Sequence, residues 1–285
     1  VSDLYRSPAH ARQVREWCRR RLGVWDVPHD TDHVETSLGR THLTWAGAPG
    51  DVVCLYLPGT NVNAAVSTTV LTELSGRFRV VCADLPGQPG LSAAGRPPDE
   101  VAGYGRWTGE VVRHVRHRHP RARLVLMGHS RGAAAALSVD PPDVDALVLV
   151  SPAGLARVRL TPLVLRRSTA WLLRPSPARS RRLVDLMAGA SGDPGLEPMV
   201  DWMTVVARCT RTTGAPGPLP SDVLDRWRGR PVRILAGALD VFFRPARLAE
   251  AAVRIGARLD VVEDAGHLLV DQRPDLVATA VTELV

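Results

Sequence analysis

Lysine is absent from this sequence. All 36 basic residues among its 285 are arginine, and against 29 acidic residues they leave a formal net charge of +7 and a pI near 10.2. Such a balance raises the question of a nucleic-acid or acidic partner. The exclusion of lysine, alongside abundant Ala, Gly, Pro and Val, also fits codon choice in a GC-rich genome. No nucleic-acid-binding motif accompanies the charge, so nucleic acid is not an expected partner. Long apolar runs are missing too: none reaches the ~18 residues of a membrane-spanning helix. Residues 1–21 are charged and lack the apolar stretch and small-residue cleavage site of a secretory signal. Cysteine is sparse, and Cys18, Cys54, Cys82 and Cys209 show no CxxC spacing. Cys54 and Cys82 fall inside apolar runs, where a buried free thiol is the default. No coiled-coil, collagen-like, low-complexity or 20–50-residue repeat pattern is present. The expectation is a reduced, cytoplasmic, enzyme-sized protein whose 45% apolar content suffices for a sizeable core.

What is present is an alternation of short apolar runs and longer amphipathic ones. The runs at 40–45, 52–57, 79–83, 124–127, 146–150, 232–236 and 259–262 read as strands. The segments at 62–75, 99–118, 131–139, 246–256 and 274–284 read as helices between them, and residues 3–22 as an Arg-rich amphipathic helix. This rhythm predicts an α/β fold: a mostly parallel, twisted sheet with helices on both faces. It breaks between Val150 and Val232, where about 80 residues stand in place of one crossover helix. That stretch has helical segments near 160–173, 178–188 and 197–210, with Pro/Gly punctuation. A helical cap over the carboxyl edge of the sheet is the expected structure, since α/β proteins bind ligands there.

The chemistry-bearing signal is Gly128-His-Ser130-Arg-Gly132, preceded by the apolar run Leu124–Met127 and followed by four alanines. A G-x-S-x-G pattern is weak alone. Between a strand and a small-residue helix it describes a sharp elbow that exposes the serine at the sheet edge. A serine hydroxyl needs a base to take its proton, and the base needs an orienting carboxylate. Gly237-Ala-Leu-Asp240 sets an acid just beyond one strand, and Asp264-Ala-Gly266-His267 a histidine just beyond the next. Asp264 itself is the lesser candidate for the acid. His114, His117 and His119 lie together on an Arg-rich helix and read as a solvated face; neither a metal nor a cofactor is expected.

With these motifs in order, the chain resembles the α/β-hydrolase superfamily, specifically its capped serine hydrolases. The resemblance implies a core at 40–154 and 229–285, a cap at 155–228 inserted after the sixth core strand, and an N-terminal helix and linker at 1–39. It implies Ser130 as nucleophile, His267 as base and Asp240 as acid. Some relatives carry the acid after the strand preceding the cap, but Ser151-Pro152 stands there. The backbone N–H of Arg131 and, by resemblance, that of Thr60 would form the oxyanion hole, with Asn61 as substitute. Relatives usually have His-Gly where this chain has Pro58-Gly59. The segment Asp84-Leu-Pro-Gly87-Gln-Pro-Gly90-Leu-Ser92 is similar to a scaffold turn of the family with one extra residue.

The implied reaction is cleavage of a carboxylic ester or thioester of a hydrophobic small molecule through an acyl-serine. Acyl transfer, carbon–carbon bond hydrolysis and cofactor-free perhydrolysis would use the same residues, and a non-catalytic ligand receptor is the alternative of another class. Asn61, Asn63, His129, Trp171 and Trp202 are the candidate substrate contacts, Asn63 being equally suited to capping. The cap also offers Leu172, Leu173, Met187, Met199 and Met203. Residues 157–182 carry eight Arg and no Asp or Glu, an acid-free run that could attract an acidic carrier protein, CoA or an anionic surface.

Overall fold

The computed structural model describes residues 4–190, 192–211 and 214–285. Asp3, where the expected first helix begins, lies outside them, as do Ser191, Thr212 and Thr213 of the expected cap. The elements run α1 (Pro8–Gly23), β1 (His29–Thr36), β2 (Gly39–Ala46), β3 (Val52–Leu57), α2 (Thr68–Ser75), β4 (Arg79–Ala83), α3 (Glu100–Arg118), β5 (Arg123–His129), α4 (Arg131–Ser138) and β6 (Ala146–Val150). Then follow α5 (Pro162–Leu173), α6 (Pro177–Ala188), α7 (Glu197–Cys209), α8 (Ser221–Asp225), β7 (Val232–Gly237), α9 (Pro245–Ile255), β8 (Arg258–Val262), α10 (Leu269–Gln272) and α11 (Pro274–Thr282).

One eight-stranded sheet is ordered β1-β2-β4-β3-β5-β6-β7-β8. The β1–β2 and β2–β4 pairs are antiparallel and the rest parallel. Parallel strands buried on both faces read as unbroken apolar runs, and the pleat divides their side chains between two layers. From β3, Cys54 and Tyr56 join the layer beneath α2 and α11, while Val53, Leu55 and Leu57 join the one beneath α3 and α4. β6 does the same with Val148 and Val150 against Leu147 and Leu149.

Two boundaries differ from the sequence reading. Residues 29–36, expected within a linker, form β1 and pair with β2 from His29↔Ala46 to Thr36↔Gly39. β1 is an edge strand whose residues are all half-buried or exposed, and His-Asp-Thr-Asp-His-Val-Glu-Thr has a single aliphatic residue to mark it. The polar sequence suits an edge that must not recruit further strands. α2 starts at Thr68 instead of near 62. Residues 61–67 instead form a turn in which Asn61 takes φ 60° and Asn63 Oδ1 accepts from Ala65 N at 2.9 Å.

α5, α6 and α7 follow β6 as the inserted helical cap. Trp171 Nε1 of α5 donates to Met203 O of α7 at 2.9 Å, and Thr204 Oγ1 of α7 donates to Ser180 Oγ of α6 at 2.7 Å. The N-terminal segment is part of this assembly. Arg6 N donates to Cys209 O (2.9 Å), Arg211 N donates to Leu4 O (2.8 Å), and the Trp17 and Trp202 rings meet at 4.7 Å. α1 therefore braces α7. Among the described residues no helix is long and apolar enough to cross a membrane.

Beside the Pro194–Leu196 turn, Asp271 is half-buried, and among the described residues its carboxyl accepts no hydrogen bond. Burial, with Asp193 nearby, pushes its carboxyl up to about 7. Because the unfolded value is about 3.9, the folded state holds this proton more tightly. Stability is therefore lost as pH rises from about 4 towards 7. Asp271→Asn is expected to raise stability on the order of 2 kcal/mol at pH 8, after allowance for solvent screening, and to change it little at pH 4. Calorimetric Tm values at the two pH values check this.

Candidate active site

The turn from β5 into α4 forces one residue out of ordinary backbone geometry. Ser130 sits between them at φ 50°, ψ −113°, a strained conformation for a residue with a side chain. The neighbouring glycines make it possible. A Cβ on Gly132 would lie 1.9 Å from Leu57 O, and one on Gly128 would lie 2.5 Å from Ala133 Cα. With α4 pressed this closely on the strands, Ser130 is held at the sheet's carboxyl edge, 4% exposed.

Two further strand ends meet it there. Ser130 Oγ is 3.0 Å from His267 Nε2, and His267 Nδ1 is 2.9 Å from Asp240 Oδ2. Asp240 Oδ1 accepts from the Phe242 and Phe243 amides at 2.8 and 3.0 Å. Burial works against the charge on Asp240, but the adjacent imidazole and these amides outweigh it and hold the carboxyl below its usual range. It stays ionised at neutral pH and fixes the imidazole with Nδ1 protonated and Nε2 towards the serine. Asp264, the lesser candidate, pairs with Arg273 at 3.5 Å on the surface. Ser151, at the alternative acid position, is buried at φ 44°.

The imidazole is fixed from the cap and from the elbow. His267 N donates to Met187 O at 2.7 Å, near the end of α6, and His267 O meets His129 Nε2 at 2.9 Å. A carbonyl only accepts, so His129 carries its proton on Nε2. Burial and the neighbouring His267 push the His129 pKa down to about 3, keeping it neutral. Its Nδ1 faces the backbone of Gly59, where a Cβ would come within 3.0 Å of it and 3.3 Å of Ser130 Cβ. Glycine at 59 thus clears room for both residues.

The loop after β3 brings Thr60 to the cavity, and Arg131 opens α4, whose first amides have no intrahelical acceptor. Asn61 does not serve as a substitute oxyanion donor. Its N–H donates to Gln88 Oε1 at 2.9 Å, and its carbonyl accepts from Trp202 Nε1. The Arg131 side chain is buried and spans three elements, donating to Glu100 Oε1 (2.8 Å), to Thr60 Oγ1 (3.3 Å) and to Gly214 O.

A cavity of about 450 Å³ opens over Ser130 between sheet edge and cap. Asn61, His129 and Trp171, three of the five expected contacts, line it, as do Leu172, Met187, Met199 and Met203. Asn63 and Trp202 do not. Asn63 turns inward to Pro89 O (3.0 Å) and accepts from Ala65 N, closing the turn ahead of α2, whose N-cap position is Ser67 and not Asn63; Trp202 lies behind Asn61 against Trp17. Leu173 points to solvent. Sequence reasoning missed Phe242 and Phe243, whose rings flank His267 at 4.8 and 5.8 Å. It also missed Gln88, the extra residue's neighbourhood in the Asp84–Ser92 turn. The aromatic pair two residues beyond Asp240 was a usable signal; Gln88 had none.

Residues 52–280 match the family model described as the alpha/beta hydrolase family. The chain belongs to the alpha/beta hydrolase family. Solved structures agree with the fold. The hydrolase is similar to carboxylesterase CesB (YbfK) from Bacillus subtilis, with TM-score 0.77 and 19% identity over 97% of this chain and 98% of that one. It is similar to naproxen esterase (carboxylesterase NP) from Bacillus subtilis, with TM-score 0.77 and 16% identity over 96% of each chain. It is also similar to 2-hydroxy-6-oxo-6-phenylhexa-2,4-dienoate hydrolase from Rhodococcus sp. strain RHA1, with TM-score 0.68 and 21% identity over 90% of this chain and 99% of that one. No curated protein sequence matches the hydrolase.

Gln88→Leu would strand the buried Asn61 amide beside a strained backbone. The hydrolase is expected to lose about 1–3 kcal/mol of stability, read as a lower urea midpoint with an unchanged slope; an unchanged midpoint would assign the loop's support elsewhere.

Proposed function

We propose that the protein is a serine esterase that hydrolyses carboxylic esters of hydrophobic small molecules through an acyl-serine intermediate. The observation that carries this reading is the continuous hydrogen-bonded chain from Asp240 through His267 to Ser130 at the floor of an apolar cavity. Ser130 Oγ attacks the ester carbonyl carbon as His267 Nε2 takes its proton. Asp240 stabilises the imidazolium that forms. The negative charge moving onto the carbonyl oxygen is received by the Thr60 and Arg131 amides, each worth roughly 3–4 kcal/mol in the transition state. The tetrahedral adduct collapses, and the imidazolium protonates the departing alcohol. Water, deprotonated by the same His267, then releases the acid and restores Ser130.

Arg131 has a second part in this reading. Its guanidinium holds Thr60 and the returning cap chain at Gly214 together, so it is a positioning residue for the oxyanion loop. The cavity also favours an ester over a thioester of CoA or of an acidic carrier protein. Its wall is formed mostly by Val, Leu, Met, Trp and Phe side chains, with few polar partners for an amide-rich pantetheine arm.

A fluorophosphonate probe is expected to add one adduct, on Ser130, and none to Ser130→Ala; an unlabelled native protein would sink the proposal. Asp240→Asn should lower kcat about 10⁴-fold while the protein stays folded. Across aryl esters of increasing acyl length, each methylene accommodated should contribute about 0.8 kcal/mol, or roughly a fourfold rise in kcat/KM, until the cavity is filled. A faster reaction with CoA or carrier thioesters than with any ester would overturn the substrate class.

A further inference from the structure

The outer face of the cap combines two features that soluble surfaces seldom bring together. Four large aliphatic residues within residues 160–173 are open to solvent: Leu163 (42%) and Leu173 (76%) on the side of α5 turned away from the cavity, and Leu160 (58%) and Leu165 (49%) at the cavity mouth. Around them stand Arg157, Arg159, Arg166, Arg167, Arg174 and Arg182, and among the described residues no carboxylate lies within ion-pair distance of any of these six. Elsewhere, at least eleven of the other 28 arginines meet a carboxylate, as Arg116 meets Asp145, Arg233 Asp260 and Arg254 Asp225, against one of the eight in 157–182 among the described residues. Arg181, from the same acid-free run, is likewise paired, with Asp185 and Glu197, and does not belong to the face.

We propose that this face is a docking surface for an anionic lipid–water interface, from which the substrate reaches Ser130. The inference rests on the esterase reading only for its last clause. Unpaired cations interleaved with exposed leucines are the composition of a helix that lies in a headgroup layer, its arginines at the anionic groups and its aliphatic side chains in the acyl boundary. Continuity supports the same occupant. Leu160 and Leu165 border the cavity over Ser130 as well as solvent, and Val158 and Val164 carry the apolar wall inwards. An acyl chain leaving the interface therefore meets aliphatic surface along its path. An acidic carrier protein would satisfy the arginines but leave Leu163 and Leu173 facing water, so the lipid interface is favoured.

The test uses the Ser130→Ala protein, so that binding is read without turnover. It is mixed with phosphatidylcholine vesicles, with and without phosphatidylglycerol, and sedimented. Partitioning onto the anionic vesicles should exceed that onto the neutral ones at least tenfold and fall with salt. Arg166→Gln/Arg174→Gln should lower it roughly thirtyfold, which is about 1 kcal/mol per arginine near such a surface. Leu163→Gln/Leu173→Gln should lower it at unchanged charge. Neither pair lines the cavity, so both double variants, made with Ser130 intact, should hydrolyse short soluble esters at the native rate. Equal partitioning onto both vesicles, or none, would overturn the proposal. So would salt-sensitive binding to an acidic acyl carrier protein without vesicle binding, which would make the face a protein-docking site. Turnover without vesicle binding defeats only the surface, and vesicle binding without turnover of any ester defeats only the esterase reading.

Discussion

The close approach of α4 to the strands is the constraint on which the rest of the site depends. There is no space for a side chain at Gly128 or Gly132, and only because both are glycine can the chain turn from β5 into α4 within one residue. The strain this puts on Ser130 is offset by the packing of an all-buried, alanine-rich helix against the sheet. Had the turn been wider, Ser130 would stand away from the strand ends that carry Asp240 and His267. A parallel sheet brings successive carboxyl ends to one edge, so the elbow, the acid and the histidine converge although 137 residues separate Ser130 from His267.

Around this rigid centre the supporting contacts come from parts of the chain with no chemistry of their own. Gln88 holds Asn61 in its left-handed conformation, Trp202 holds the same residue from the cap side, and α1 braces Trp202 in turn. The loop after β3 is thus supported through a path that begins at the N-terminal helix. The side chain of Arg131 adds a second path, from α3 through Glu100 to Thr60. Such paths stiffen the loop, which the proposed mechanism requires to present an amide to developing charge without reorganising.

Much of this was legible in the sequence because it was written in local patterns. Apolar runs marked β2 to β8, their alternation with helices fixed the sheet as mostly parallel, and the elbow motif with two strand-end motifs located Ser130, Asp240 and His267. What was hidden depended on pairing at a distance. β1 has no apolar period because it is a wet edge, recognisable only from its hydrogen bonds to β2. Asn63 and Trp202 have the composition of pocket residues, yet their polar atoms are claimed by Pro89 and Asn61. The eight arginines of the cap looked equivalent until Arg181 proved to be shared between Asp185 and Glu197. Residue type sets what a side chain can do; its tertiary partners decide whether it is at liberty to do so.

The hydrogen bond from His267 N to Met187 O has an engineering consequence. The peptide that carries the histidine leans on the cap, and a Cβ on Gly266 would collide with the backbone at Met187 and Ala188. Core and cap therefore share a seam close to the reacting atoms, and the two are not interchangeable modules. A chimaera that replaced the insertion with a foreign lid, spliced only at its two ends, would keep all three polar side chains yet unseat the imidazole. The end of α6 has to travel with the core.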